Sequence, residues 1–117
     1  MIRHLRHLRD LVAGKTKSGK MRSSHWREVR AAHLENFPTC ALCGGTRKIE
    51  VHHVKPFHLH PELELEEANL ITLCESGHGG VNCHLAFGHL GSFQRINPQV
   101  RLDCLEWGKK LRQAEAA

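Results

Sequence analysis

A chain of 117 residues has length for about one domain, and its 40% hydrophobic content allows a small core that a bound metal would help to close. Five cysteines is an odd number, no run approaches bilayer length, and Arg3, Arg6 and Arg9 interrupt the apolar stretch that a secretion signal needs after Met1. These features argue against a disulfide-framed secreted domain or a membrane protein, and for a soluble protein of the reducing cytoplasm whose paired cysteines bind metal.

Net charge is +5, and its distribution is uneven: residues 1–30 hold nine Lys/Arg against Asp10 and Glu28, while residues 31–117 hold eight Lys/Arg against ten acids. The basic excess is therefore N-terminal. Residues 1–22 read as a basic arm carrying Arg3, Arg6, Arg9, Lys15, Lys17, Lys20 and Arg22, suited to DNA, where counterion release makes binding salt-dependent. Residues 23–117 read as the folded domain.

Within the arm, Ile2, Leu5, Leu8 and Leu11 recur at threes, compatible with a short basic helix that Gly14 and the following Lys/Ser/Gly run interrupt. A helix is expected from Ser24 as N-cap, with Trp26, Val29 and His33 on one side, ending before Pro38. Cys40 to Gly45 has the glycines that a tight metal knuckle needs. Lys48 to Val54 alternates as a strand, which places Ile49, Val51 and His53 on one face and Glu50, His52 and Val54 on the other. The adjacent histidines should thus diverge. A loop over Pro56 to Glu67 leads to a second strand at Leu70 to Leu73, and a glycine-rich segment then precedes a helix starting near Cys83 or His84. Asn97-Pro98 opens a last helix, about 98–113, whose apolar face is Val100, Cys104, Trp107 and Leu111. Cys104 belongs to that face and reads as a buried thiol.

Thiolates favour zinc, and four of them close a tetrahedral shell with no open position. Cys40, Cys43, Cys74 and Cys83 supply that number, with His78 as an alternative to one of them. The imidazoles call for another explanation. Hydrolysis of a phosphodiester needs a base for water and a cation for the developing charge, and neutral histidine can serve as base or as metal ligand near pH 7.

Cys40-x2-Cys43, Val51-His52-His53-Val54, Asn69-Leu70-Ile71-Thr72-Leu73-Cys74 and Cys83-His84 resemble, in order, the motif of the HNH endonucleases, the His-Me or ββα-metal finger family that includes the colicin nuclease domains. The likeness covers about residues 37–91, and the run Cys83 to His89 is similar to small stand-alone bacterial and phage members. The resemblance implies an α+β fold, a ββα-metal finger with structural zinc knuckles and flanking helices. It also implies His53 as general base, His52 and His84 as ligands of the catalytic ion, and Asn69 as the residue that holds the loop and orients His53. In the compact motif the last histidine falls nine residues after the asparagine, which here is His78; His84 is preferred because a helix start holds a ligand rigidly. His89, five residues further on, is about 140° out of phase on an α-helix and reads as structural. Lys55 is a candidate phosphate contact.

The expected function is metal-dependent cleavage of DNA by nicking a duplex, with a structural Zn2+ and a catalytic divalent cation, Mg2+ first and Mn2+, Ni2+ or Zn2+ as alternatives. The rival from another class is a non-catalytic zinc-ribbon adaptor that binds nucleic acid through the arm. It leaves the His-His pair, the spaced Asn69 and His84 unexplained.

Overall fold

The computed structural model describes residues 22–77 and 80–116. Helix α1 spans Trp26–Asn36, strand β1 Ile49–His53, strand β2 Leu70–Cys74, and helix α2 Val100–Ala116, with a short π-helix at His84–Gly88 between β2 and α2. The architecture is α+β, as the sequence patterning predicts. Among the described residues no helix is long and apolar enough to cross a membrane. Arg3, Arg6, Arg9, Lys15, Lys17, Lys20 and His78 lie outside the described residues.

α1 begins one turn-forming residue away from the expected cap. The N-cap is His25 and not Ser24, and it makes no side-chain cap hydrogen bond; Ser23 folds the turn before it, its Oγ accepting from the His25 amide at 3.1 Å and its carbonyl from the Trp26 amide at 3.1 Å. The helix stops before Pro38 because a proline there cannot donate to the preceding turn. His33 is its buried residue, and the Thr72 hydroxyl donates to the Phe37 carbonyl at 2.8 Å, tying the helix end to β2.

β1 and β2 pair antiparallel, His53 opposite Leu70, His52 opposite Ile71 and Ile49 opposite Cys74. All five residues of β2 are buried, because α1 and the knuckle cover one side and the π-helix the other; β1 buries only its two histidines. The ladder continues past both strand ends through Glu75 N–H to the Lys48 carbonyl at 2.8 Å and Val54 N–H to the Asn69 carbonyl at 2.9 Å. Leu42, Leu73, Cys74, Cys83, Val100 and Cys104 form the core behind the sheet.

Asn97 caps α2 much as its place before a proline suggests. Its Oδ1 accepts from the Gln99 amide at 3.0 Å, while its Nδ2 donates to the Phe87 carbonyl and to Asp103, each at 2.7 Å. The expected apolar face is only half buried. Val100 and Cys104 are in the core, whereas Trp107 and Leu111 are 45% and 42% exposed. Lys110 covers part of Trp107, its ammonium 4.4 Å from the ring centroid.

Candidate metal centres and active site

Two groups of side chains could each hold a metal ion. The first is Cys40, Cys43, Cys74 and Cys83, whose sulfurs lie within 4.8 Å of one another. The knuckle is folded by Gly44 N–H to the Cys40 carbonyl at 2.9 Å and Cys40 N–H to the Gly45 carbonyl at 2.8 Å, with Gly44 at φ +76° where an L-residue is strained. Gly77 is required by contact: a Cβ there would stand 2.5 Å from the sulfurs of both Cys43 and Cys74.

The Cys83 thiol beside it lowers Cys40, and the same pairing together with burial pushes Cys83 up. Burial raises Cys74. Four thiolates this close are a donor set for zinc in a closed structural shell, and a divalent ion there would hold them deprotonated. Cys104 stays apart from the cluster, buried, with its thiol pushed up to about 12 by burial, as the reading of it as a core residue expects.

The second group is His52, His84 and His89. His52 comes from β1 and is 3% exposed; its Nε2 is enclosed and, among the described residues, has no hydrogen-bond partner. An orphaned, buried imidazole nitrogen facing two others fits a cation. The three rings stand 4.8 to 5.1 Å apart, centroid to centroid. Burial, then His84 and His89, push His52 down to about 3, and burial lowers His84 also, so both are neutral near pH 7 and could serve as ligands. The other ring nitrogens have partners that settle orientation: His89 Nδ1 donates to the Arg95 carbonyl at 3.0 Å, and His84 Nδ1 lies 3.4 Å from a Glu75 carboxylate oxygen.

His89 is the residue that sequence reasoning set aside. The segment after Cys83 is wound as a π-helix, with His89 N–H bonded to the His84 carbonyl at 3.1 Å, an i to i+5 closure. That winding places His89 over His84, where α-helical phase would have turned it away. The π-turn is fixed at its start by Asn82, whose Oδ1 accepts from Leu85 N–H at 2.8 Å, and at its end by Gly88, where a Cβ would come within 3.1 Å of His52 and Leu73. The signal was a glycine between the two histidines, but only its contact with His52 gives it meaning.

His53 points the other way from His52, as strand alternation demands. Its ring lies against Trp26, centroids 4.6 Å apart. The Glu64 carbonyl can only accept, so His53 Nε2 donates to it, at 2.9 Å, and the lone pair is left on Nδ1. Burial lowers His53 to about 4; the Glu64 carbonyl opposes this and Arg22 adds to it. Asn69, 7% exposed, does not touch the His53 ring. Its Oδ1 accepts from Lys55 N–H at 2.8 Å, and its Nδ2 donates to the carbonyls of Lys55 and Leu63 at 3.0 and 3.2 Å. It therefore clasps the strand end to the loop whose next residue, Glu64, orients His53.

Residues 40–86 match the HNH endonuclease family model. No curated protein and no solved structure matches the chain. The HNH segment holds both cysteine pairs, His52, His53, Asn69 and His84, while His89 lies just beyond it.

His52, His53, His84 and His89 open onto one cleft of about 380 Å³, lined also by Arg22, His58, Phe93 and Arg95. Arg22, counted from sequence with the arm, packs against Glu64, Trp26 and Phe57. Its guanidinium is 3.7 Å from the buried Glu64 carboxylate and lies over Trp26 and Phe57, 5.1 and 4.9 Å from the ring centroids. Lys55 is exposed and stands outside the cleft lining.

Proposed function

We propose that this protein is a divalent-metal-dependent endonuclease that hydrolyses phosphodiester bonds of DNA and nicks the duplex. The observation that carries the reading is the pairing, in one cleft, of a three-histidine cluster with a separate, neutral His53 whose tautomer is fixed by a backbone carbonyl. A structural zinc site would need the cysteines alone; a binding adaptor has no use for a second cluster beside an oriented base.

His52, His84 and His89 would hold the catalytic ion, and three protein ligands leave positions open for phosphate oxygen and water. When bound, the ion supplies positive charge to the scissile phosphate and the departing oxygen. His53 Nδ1 takes a proton from water, the Glu64 carbonyl keeps the ring from rotating, and Asn69 keeps that carbonyl in place. A base held at about 4 keeps its lone pair free at neutral pH. The entering phosphate, an anion beside the ring, raises its proton affinity at the moment it is needed. Arg3, Arg6, Arg9, Lys15, Lys17, Lys20 and Lys55 would contact phosphates away from the scissile one, so that affinity and chemistry reside on separate segments.

The test is incubation of chelator-treated protein with supercoiled plasmid, with each of magnesium, manganese, nickel and zinc added back. Conversion to the relaxed form that depends on added metal is expected. Binding of plasmid with no cleavage under any of these metals would transfer the protein to the adaptor class.

A further inference from the structure

One wall of the cleft is built by residues 93–96, which lie outside the family-matched segment and have no part in the chemistry described above. This wall is not a loose loop. Ser92 N–H bonds to the His89 carbonyl at 3.0 Å, Arg95 N–H to the Ser92 carbonyl at 2.8 Å, and Gly91 N–H to the Leu85 carbonyl at 2.8 Å. Leu90 and Gly91, at φ +51° and +89°, turn the chain sharply back toward the histidines. The His89 ring itself bonds to the Arg95 carbonyl, so a proposed ligand of the ion and this wall are fixed to each other.

Two side chains on it face solvent at the cleft. Phe93 is 58% exposed, yet its ring centroid is 5.7 Å from that of His84 and 5.0 Å from that of His89. One side of the ring packs on the histidines and the rest is open. Arg95 is exposed, and its guanidinium donates to the Leu90 carbonyl at 3.2 Å; among the described residues it has no acidic partner. The contrast with Arg22 across the cleft is useful, since Glu64 already neutralises that guanidinium.

We infer that this wall is a nucleotide-binding subsite of the nuclease: Phe93 stacks on the base beside the scissile phosphate, and Arg95 binds a neighbouring phosphate. This rests on the nuclease reading and narrows its substrate. An aromatic face a ring's width from the ion's ligands can be covered by a base only if that base has left its stack. Stacking of this kind is sequence-tolerant, because every base has a π-face. The preferred substrate is then DNA with an unpaired or easily unstacked nucleotide at the cut, and cleavage depends on local pairing more than on base identity.

The experiment uses the full chain carrying His53→Ala, so that substrate survives, and fluorescent 20-mer duplexes either fully paired or with one bulged nucleotide. The bulged duplex should bind about 5- to 150-fold more tightly, the range of one stacked base. Adding Phe93→Ala should abolish that preference and Phe93→Trp should keep it, with cation stoichiometry at the histidines unchanged by either. Arg95→Ala should weaken both duplexes alike and lower the slope of log affinity against log salt by about 0.7–0.9. A bulge preference that is absent, or that survives Phe93→Ala, overturns the subsite. Loss of the histidine-bound cation in Phe93→Ala overturns it too, since Phe93 would then be packing for the ligands. If the His53→Ala protein binds neither duplex, the nuclease reading falls along with it.

Discussion

Gly77→Ala tests the cysteine centre at its tightest point. The added methyl would stand 2.5 Å from two sulfurs, against about 3.5–4.0 Å for an ordinary contact, so each sulfur, or the backbone, must move by roughly 1 Å. Zinc–sulfur bonds of about 2.3 Å tolerate errors of only about 0.2 Å. Two of four ligands displaced by several times that tolerance should weaken zinc by at least about 100-fold, or ~2.7 kcal/mol. Because the metal binds the folded chain, that loss passes to stability, and at about 4–8 °C per kcal/mol for a small domain the melting temperature should fall by roughly 10–20 °C. Gly44→Ala is the control: nothing lies within 4 Å of its Cβ, so only backbone strain at φ +76° acts, about 1 kcal/mol, with zinc retained. Zinc per chain by elemental analysis, competition with a chromophoric chelator and thermal melts give the answer. A Gly77→Ala protein that competes for zinc as wild type does would refute the assignment of these four sulfurs to one ion.

Other predictions concern the histidine side. His53→Ala should lower the nicking rate by about 10²–10⁴-fold with cation binding intact by calorimetry, whereas His84→Ala and His89→Ala should weaken the cation and be partly rescued by more of it; equal rescue of all three would unseat His53 as the base. Asn69→Ala leaves two carbonyls and one amide without partners in a buried site, so a loss of about 2–3 kcal/mol in denaturant unfolding is expected, together with slower cleavage. For pH, His53 is depressed to about 4 while the unfolded value is near 6.5. In that window the unfolded chain binds more protons, so His53's contribution to stability is whole above about 6.5 and is lost as pH falls toward 4. The acid limb of kcat/KM, which reports the free enzyme, should also lie below the usual histidine range where it is due to His53, and a midpoint near 6.5 in that profile at saturating metal would contradict this.

The divergence of His52 and His53 was legible because a strand has period two, and that depends only on local geometry. The cysteine pairs, the apolar run of β2 and the asparagine before it were legible for a similar reason: spacing alone limits what a tight knuckle or a buried strand can be. Tertiary contacts decided the rest. Whether His89 joins His52 and His84 depends on π winding, which is imposed where Gly88 presses on His52 and Leu73 and where Asn97 takes up the Phe87 carbonyl. Arg22 looks like one more cation of the arm until buried Glu64, 42 residues later, claims it. The tautomer and low proton affinity of His53 come from a carbonyl eleven residues away and from burial. A sequence fixes which groups exist and their local direction, but burial and long-range partners, which set phase and charge, exist only once the chain has closed on itself.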